Sequence, residues 1–234
     1  MTLHVGMLLF PRLTQLDLTG PFEVMHRIPG AQVHLVWKDL APVRADSGFG
    51  ILPTTRIDDC PPLDGVFVPG CGGSTDLMSD DPVLDFLAAQ GKSARYVTSV
   101  CTGSLVLGAA GLLEGYDATT HWAYTDVLPV FGARPVRKRV VVDRNRITAG
   151  GVTAGIDFGL RIAAELAGEE VARAIQLGIE YDPDPPFKSG HPDVADPALV
   201  EKTRRALSTS LDQRKALAQE CVARRRPKPG SLAC

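Results

Sequence analysis

The segment YVTSVCTGSLVLGAAGLL (96–113) carries one cysteine, Cys101, where a strand-like run gives way to a helix-like one. Ser99 stands two residues before it and Gly103 two after. Small-x-nucleophile-x-Gly is the spacing of a nucleophile elbow, here with cysteine in the serine position, because a tight strand-to-helix turn has no room for bulky neighbours. A helix beginning at the sulfur directs free N–H groups and its positive dipole end there, which favours thiolate. The competing assignment is a packed core thiol, the ordinary fate of a lone cysteine.

A nucleophile needs partners at the same edge of the sheet. In open α/β sheets ligands gather at the carboxyl ends of the strands. FPRLTQLDLTGP (10–21) puts Asp17 just past such an end, where a carboxyl group beside a thiol can act as acid and then base. Asp17 has a second reading as the N-terminal cap of the helix that follows, and both stand. VPGCGGSTD (68–76) follows another strand, and its glycines let backbone N–H groups point inward as an oxyanion site. His121, in ATTHWAY, invites either a Cys–His dyad or a structural histidine beside Trp122. Cys60, Cys221 and Cys234 lack any such setting and read as inert.

The elements that must position these groups alternate between two patterns. Strands are expected at 3–10, 31–37, 64–70 and 95–100, continuous in apolar character as in a parallel sheet buried on both faces. Helices are expected at 17–27, 80–91 and 102–113, the last closed by Gly115 as a left-handed cap. VRKRVVVDRNRITAG (136–150) reads as a hairpin turning at Arg144-Asn145. Two helices broken near Gly168 fill 153–181, a Pro-rich loop spans 182–197, and an amphipathic helix follows near 197–222. The expected architecture is one doubly wound α/β domain over 1–222, with a disordered basic tail at 223–234.

Composition narrows the classes. The chain has 234 residues, 44% hydrophobic and 22% charged, an ordinary balance for a globular domain. A formal net charge of −2 points away from nucleic acid and anionic membranes as partners. No apolar run is long enough to span a bilayer, and the N-terminus lacks the basic region and cleavage site of a signal peptide, so the expected location is cytoplasmic. The five cysteines are odd in number with no CxxC pair, and the five histidines show no ligand spacing. Neither a disulfide framework nor a metal is expected, and no cofactor.

Five segments together resemble the ThiJ/PfpI superfamily, relatives of class I glutamine amidotransferase domains: LLFPRLTQLDLTGPFEV, FVPGCGG, VTSVCTGSLVLGAAGLLEG, ATTHWAY and GGVTAGIDFGLRIAAEL. DLTGP, with aspartate where many relatives carry glutamate, resembles the isonitrile hydratase branch. The resemblance implies a flavodoxin-like sandwich, a homodimer, Cys101 as nucleophile, Asp17 as the carboxyl group beside it, and Thr102 as a hydroxyl and N–H near the substrate. It also implies an anion-binding loop completed by the N–H groups of Cys71 and Gly72. One departure is visible: the family has Gly-Gly after the proline where this chain has Gly70-Cys71, and a positive φ there strains cysteine. The implied activity is hydration of an isonitrile to a formamide. Two alternatives are glyoxalase- or deglycase-type chemistry on small aldehydes, and a ligand-sensing module like the N-terminal half of AraC-type regulators. Only about forty residues follow the Pro-rich loop, too few for the regulators' DNA-binding part.

Overall fold

The computed structural model describes residues 2–225. In chain order its first half runs β1 (Leu3–Leu8), α1 (Gln15–Met25), β2 (Ala31–Trp37), β3 (Val43–Arg44), β4 (Gly50–Ile51), β5 (Thr55–Arg56), β6 (Gly65–Val68), α2 (Ser74–Leu77), α3 (Asp81–Ser93) and β7 (Tyr96–Val100). The second half runs α4 (Gly103–Ala109), β8 (Asp117–Ala118), a 3₁₀ segment (Trp122–Phe131), β9 (Arg134–Pro135), β10 (Val140–Asp143), β11 (Arg146–Ala149), α5 (Ala154–Ala167), α6 (Glu169–Gly178) and α7 (Pro197–Arg225).

Seven strands make one sheet in the order β10-β11-β7-β6-β1-β2-β5. Every pairing is parallel except β10 with β11. β6 and β11 are buried at every residue and β7 at all but its first, as strands covered on both faces must be. The core order β2-β1-β6-β7-β11 is the 2-1-3-4-5 of flavodoxin-like folds, so the order reverses between β1 and β6. Connections leave that point in opposite directions and open a crevice at the carboxyl ends of the strands. The loops after β1, β6 and β7 deliver Asp17, Cys71 and Cys101 to it.

Two helical layers cover the sheet. α1 and α5 pack on each other, α5 against β7, β10 and β11; α3 and α4 pack on β6 and β7, with α7 and the 3₁₀ segment outside α4. The α1–α5 crossing is close because it is lined by glycine: a Cβ on Gly155 would lie 2.9 Å from Pro21, and one on Gly159 2.9 Å from Val24. The start of α4 is tighter still, for a Cβ on Gly103 would meet the Val68 carbonyl oxygen at 2.1 Å.

The doubly wound sheet, the hairpin turning at Arg144-Asn145, and the break between α5 and α6 at Gly168 all match the sequence expectations. Three details differ. α4 stops at Ala109, well before the expected end: the Gly111 N–H bonds the Gly108 carbonyl and the Leu112 N–H the Leu107 carbonyl, a Schellman closure with Gly111 at φ 76°. Gly115 also has positive φ, but in the later turn. β11 pairs not only with β10 but with β7, so the hairpin extends the central sheet. The last helix continues to Arg225 because Arg224 and Arg225 bridge to Asp81 and Asp85 at the start of α3, so the expected tail is helical at 223–225. The remainder of that tail lies outside the described residues.

Gly103→Ala should cost at least about 3 kcal/mol in urea unfolding, because the clash is with backbone that cannot move aside. Gly178→Ala, in a helix with open space around it, should instead gain about 0.4–1 kcal/mol.

Candidate active site

The turn from β7 into α4 holds Cys101 at φ 54°, a conformation L-residues rarely adopt and one that tight functional turns retain. The turn is fixed from every side. The Cys101 N–H donates to the Ala149 and Gly150 carbonyls at 3.0 and 2.9 Å, while the Thr120 and Ser104 hydroxyls donate to its carbonyl at 2.9 and 3.2 Å. A Cβ on Gly70 would sit 2.4 Å from the Thr102 N, so the β6 and β7 loops touch through glycine. Cys101 is 6% exposed.

Asp17 lies in the first turn of α1 and is completely buried. The cap position belongs to Thr14, and Asp17 makes no capping bond; its Oδ2 accepts the Gly70 N–H at 2.9 Å. Oδ1 has no hydrogen-bond partner among the described residues. Of the two readings of Asp17, the helix cap is therefore excluded. Burial pushes its pKa up to about 7, opposed by the Gly70 N–H and the neighbouring Cys101 thiol. Burial also raises the Cys101 thiol, and the Asp17 charge adds to the rise; the N–H groups of Thr102 and Val152 at the sulfur pull the other way. The helix-end argument from sequence is outweighed here, because α4 is only seven residues long and desolvation dominates. Two adjacent groups that each resist ionisation hold one proton more readily than none, so they titrate as a pair.

The loop after β6 is arranged differently from the sequence expectation. The Cys71 N–H donates to Thr102 Oγ1 at 2.9 Å and is thereby occupied. On its other side the loop is tied to the segment after β1 by an antiparallel bridge between Leu13 and Cys71, in which the Thr14 N–H donates to the Gly70 carbonyl at 3.1 Å and the Gly72 N–H faces the Arg12 carbonyl. Cys71 adopts φ 150°, the strain the Gly-to-Cys departure implied. Its carbonyl accepts from Ser74 Oγ (2.7 Å), Thr102 Oγ1 (3.1 Å) and Arg214 Nη2 (2.7 Å). Burial lifts its thiol pKa to about 11. His121 Nδ1 accepts the Ala123 N–H at 3.3 Å and so caps the 3₁₀ segment; no hydrogen bond joins it to Cys101 or Asp17 among the described residues. Burial and the Arg214 charge lower its pKa, keeping the ring neutral. Beside the elbow lies a cavity of about 580 Å³ whose wall includes Thr120, His121, Trp122, Val152, His191 and Arg204.

The sequence profile of the DJ-1/PfpI family matches residues 4–165. The chain belongs to the DJ-1/PfpI family. It is 54% identical to an isonitrile hydratase of Pseudomonas putida over 96% of this chain and 98% of that one. It is 32% identical to the HTH-type transcriptional regulator GbdR of Pseudomonas aeruginosa over 76% of this chain, which spans half the regulator's length. Among solved structures, a THiJ/PfpI family protein from Pseudomonas syringae superposes with a TM-score of 0.91 at 44% identity, covering 93% of this chain and 91% of that one.

The fold brings together Cys101, Asp17, Thr102 and Cys71, while Gly72 follows in the same loop with open space where a Cβ would stand. Sequence reading missed Val152 and Arg214. Val152 lies just after β11 at φ 28° and offers its N–H to the Cys101 sulfur; the run AGGVTAG at a strand end was its only local signal. Arg214 lies in α7, more than a hundred residues beyond Cys101, and carried no signal at all. Among the described residues no group of three or more His, Cys, Asp or Glu could hold a metal ion, and no helix is long and apolar enough to cross a membrane.

A carboxyl whose pKa rises on folding favours the unfolded chain wherever that chain has already ionised. Stability should therefore fall as pH rises from about 4 to about 7, by up to about 4 kcal/mol, and level off above. Melting temperatures measured across that window should show this slope in the native chain and lose most of it in Asp17→Asn.

Proposed function

We propose that this chain is an isonitrile hydratase, a hydro-lyase with a cysteine nucleophile that adds water to R–N≡C and releases an N-substituted formamide. The near-full-length likeness to the Pseudomonas putida hydratase carries this reading. The juxtaposition of Cys101 with a carboxyl group of raised pKa supports it chemically.

The pair holds one transferable proton. Cys101 Sγ attacks the terminal carbon as its proton passes to Asp17, and the Asp17 carboxyl then protonates that carbon, leaving a thioimidate, R–N=CH–S–Cys101. Asp17, now carboxylate, takes a proton from water as the oxygen adds to the same carbon. Asp17 passes that proton to the nitrogen, the C–S bond breaks as the hydroxyl proton moves to the sulfur–carboxylate pair, and the formamide leaves with Cys101 and Asp17 again sharing one proton. Water supplies the carbonyl oxygen; the formyl hydrogen comes from the exchangeable pair. Unpaired Asp17 Oδ1 suits the donor role, and the Thr102 and Val152 N–H groups suit stabilisation of charge on sulfur. Neither N–H of the loop after β6 is free for charge developing on substrate, since that of Cys71 donates to Thr102 Oγ1 and that of Gly72 lies in the bridge to the segment after β1. His121 is assigned a structural part, since its Nδ1 serves the 3₁₀ cap.

Turnover of an alkyl isonitrile, with methylglyoxal as the competing substrate, tests the assignment. Hydration in D₂O should place deuterium on the formyl carbon. Cys101→Ala should abolish turnover, Asp17→Asn should lose about 10²–10⁴ in rate, and Cys60→Ser should leave it nearly unchanged. Methylglyoxal consumption without isonitrile turnover overturns the reading.

We further propose that the chain acts in the cytoplasm as a homodimer of a single ThiJ/PfpI-type domain. Light scattering at low micromolar concentration should give about twice the 25.0 kDa chain mass.

A further inference from the structure

Arg214, on α7, is 3% exposed. A guanidinium keeps its proton in proteins, so the molecule holds a full positive charge there. Among the described residues no carboxylate pairs with it. Its partners are neutral: Nη2 donates to the Cys71 carbonyl at 2.7 Å, Nη1 to Ser74 Oγ at 2.8 Å and Nε to Ser210 Oγ at 3.3 Å, with the Tyr124 ring 4.6 Å away. The other buried arginine, Arg146, is engaged elsewhere, on the Leu112 carbonyl and the Tyr116 ring. Burying a cation with no anion beside it is costly, and such a cost persists where a charge is needed.

The position of the guanidinium says what needs it. The Cys71 carbonyl belongs to a residue strained at φ 150°, and such a conformation survives only when its surroundings over-determine it. The same carbonyl accepts from Thr102 Oγ1 at 3.1 Å, so one shared acceptor joins Arg214 to the residue after Cys101. Next to Thr102, Cys101 and Asp17 are buried side by side, so ionisation of either puts negative charge into a desolvated space.

We infer that Arg214 is a positioning residue for the chemistry at Cys101: its fork pins the strained Cys71 turn, and its buried charge favours negative charge as it develops at Cys101 and Asp17. The inference rests on the reading of Cys101 as nucleophile. It makes α7 part of the active site, although that helix lies wholly beyond residues 4–165 matched by the family profile.

Two substitutions in the full chain separate the fork from the charge. The readouts are the pH dependence of Cys101 alkylation by iodoacetamide, followed by peptide mass, and kcat and KM for an alkyl isonitrile. Arg214→Met removes both functions: the alkylation midpoint should rise by about one pH unit or more, and kcat should fall at least about tenfold with KM within about threefold. Arg214→Lys keeps a charge and loses the fork: the alkylation midpoint should stay within about half a unit of the native one while kcat falls about tenfold. An unshifted midpoint in folded Arg214→Met, or a midpoint that rises equally in Arg214→Lys, overturns the electrostatic part. Undiminished kcat in folded Arg214→Lys overturns the clamp. Ser74→Ala removes one of the fork's partners without altering α7, and should lower kcat with no shift in the alkylation midpoint. Full activity in that variant overturns the clamp even where neither arginine variant folds. Alkylation needs no isonitrile, so a native chain that alkylates as described but does not hydrate isonitriles defeats the proposed function and leaves this inference standing.

Discussion

The 2.9 Å hydrogen bond from the Gly70 N–H to Asp17 joins the loop after β1 to the loop after β6, and the rest of the site is arranged around it. It orients a fully buried carboxyl group with one oxygen paired and the other unpaired. Burial leaves that carboxylate poorly solvated and pushes its pKa up to about 7, against the pull of the Gly70 N–H and the Cys101 thiol. The same bond is possible only because residue 70 is glycine. Any side chain there would strike the Thr102 backbone and the Cys101 Cβ, pushing the β6 loop off the elbow.

The site stores strain in three neighbouring non-glycine residues of positive φ, Cys71, Cys101 and Val152. Each belongs to a loop held by a different strand, β6, β7 and β11, which pair in parallel side by side. Strain of this kind costs on the order of 1–3 kcal/mol per residue and persists only under a dense set of restraints. Those restraints are present: the carbonyls of Cys71 and Cys101 accept three and two side-chain hydrogen bonds respectively. Rigid pairing of the sheet thus fixes the relative positions of groups whose own loops are not intrinsically stable.

Electrostatically the site is a balance between desolvation and a few well-aimed donors. Burial disfavours charge on both Cys101 and Asp17, while N–H groups from Gly70, Thr102 and Val152 favour it. A thiol in this setting differs from one activated by a histidine. The titratable group beside it is a carboxyl, while His121, its pKa lowered by burial and the Arg214 charge, is engaged with the 3₁₀ segment.

Periodicity and turn chemistry determined the alternation of strands and helices, the Arg144-Asn145 turn and the break at Gly168, because these depend on residues close in sequence. The spacing around Cys101 likewise marked the elbow, since its tight turn needs small residues at fixed offsets. What the chain alone left open was decided by contacts between distant segments. Asp17 fits a helix cap equally well until β6, paired beside β1, brings the Gly70 N–H to it. The Cys71 N–H is free for an oxyanion until Thr102 arrives from the neighbouring strand and takes it. Arg214 reads as one more basic residue on an amphipathic helix until α7 packs over α4 and the 3₁₀ segment and buries it against Cys71 and Ser74. Burial is a property of the whole packing, and it sets both the charge state of Asp17 and the meaning of Arg214.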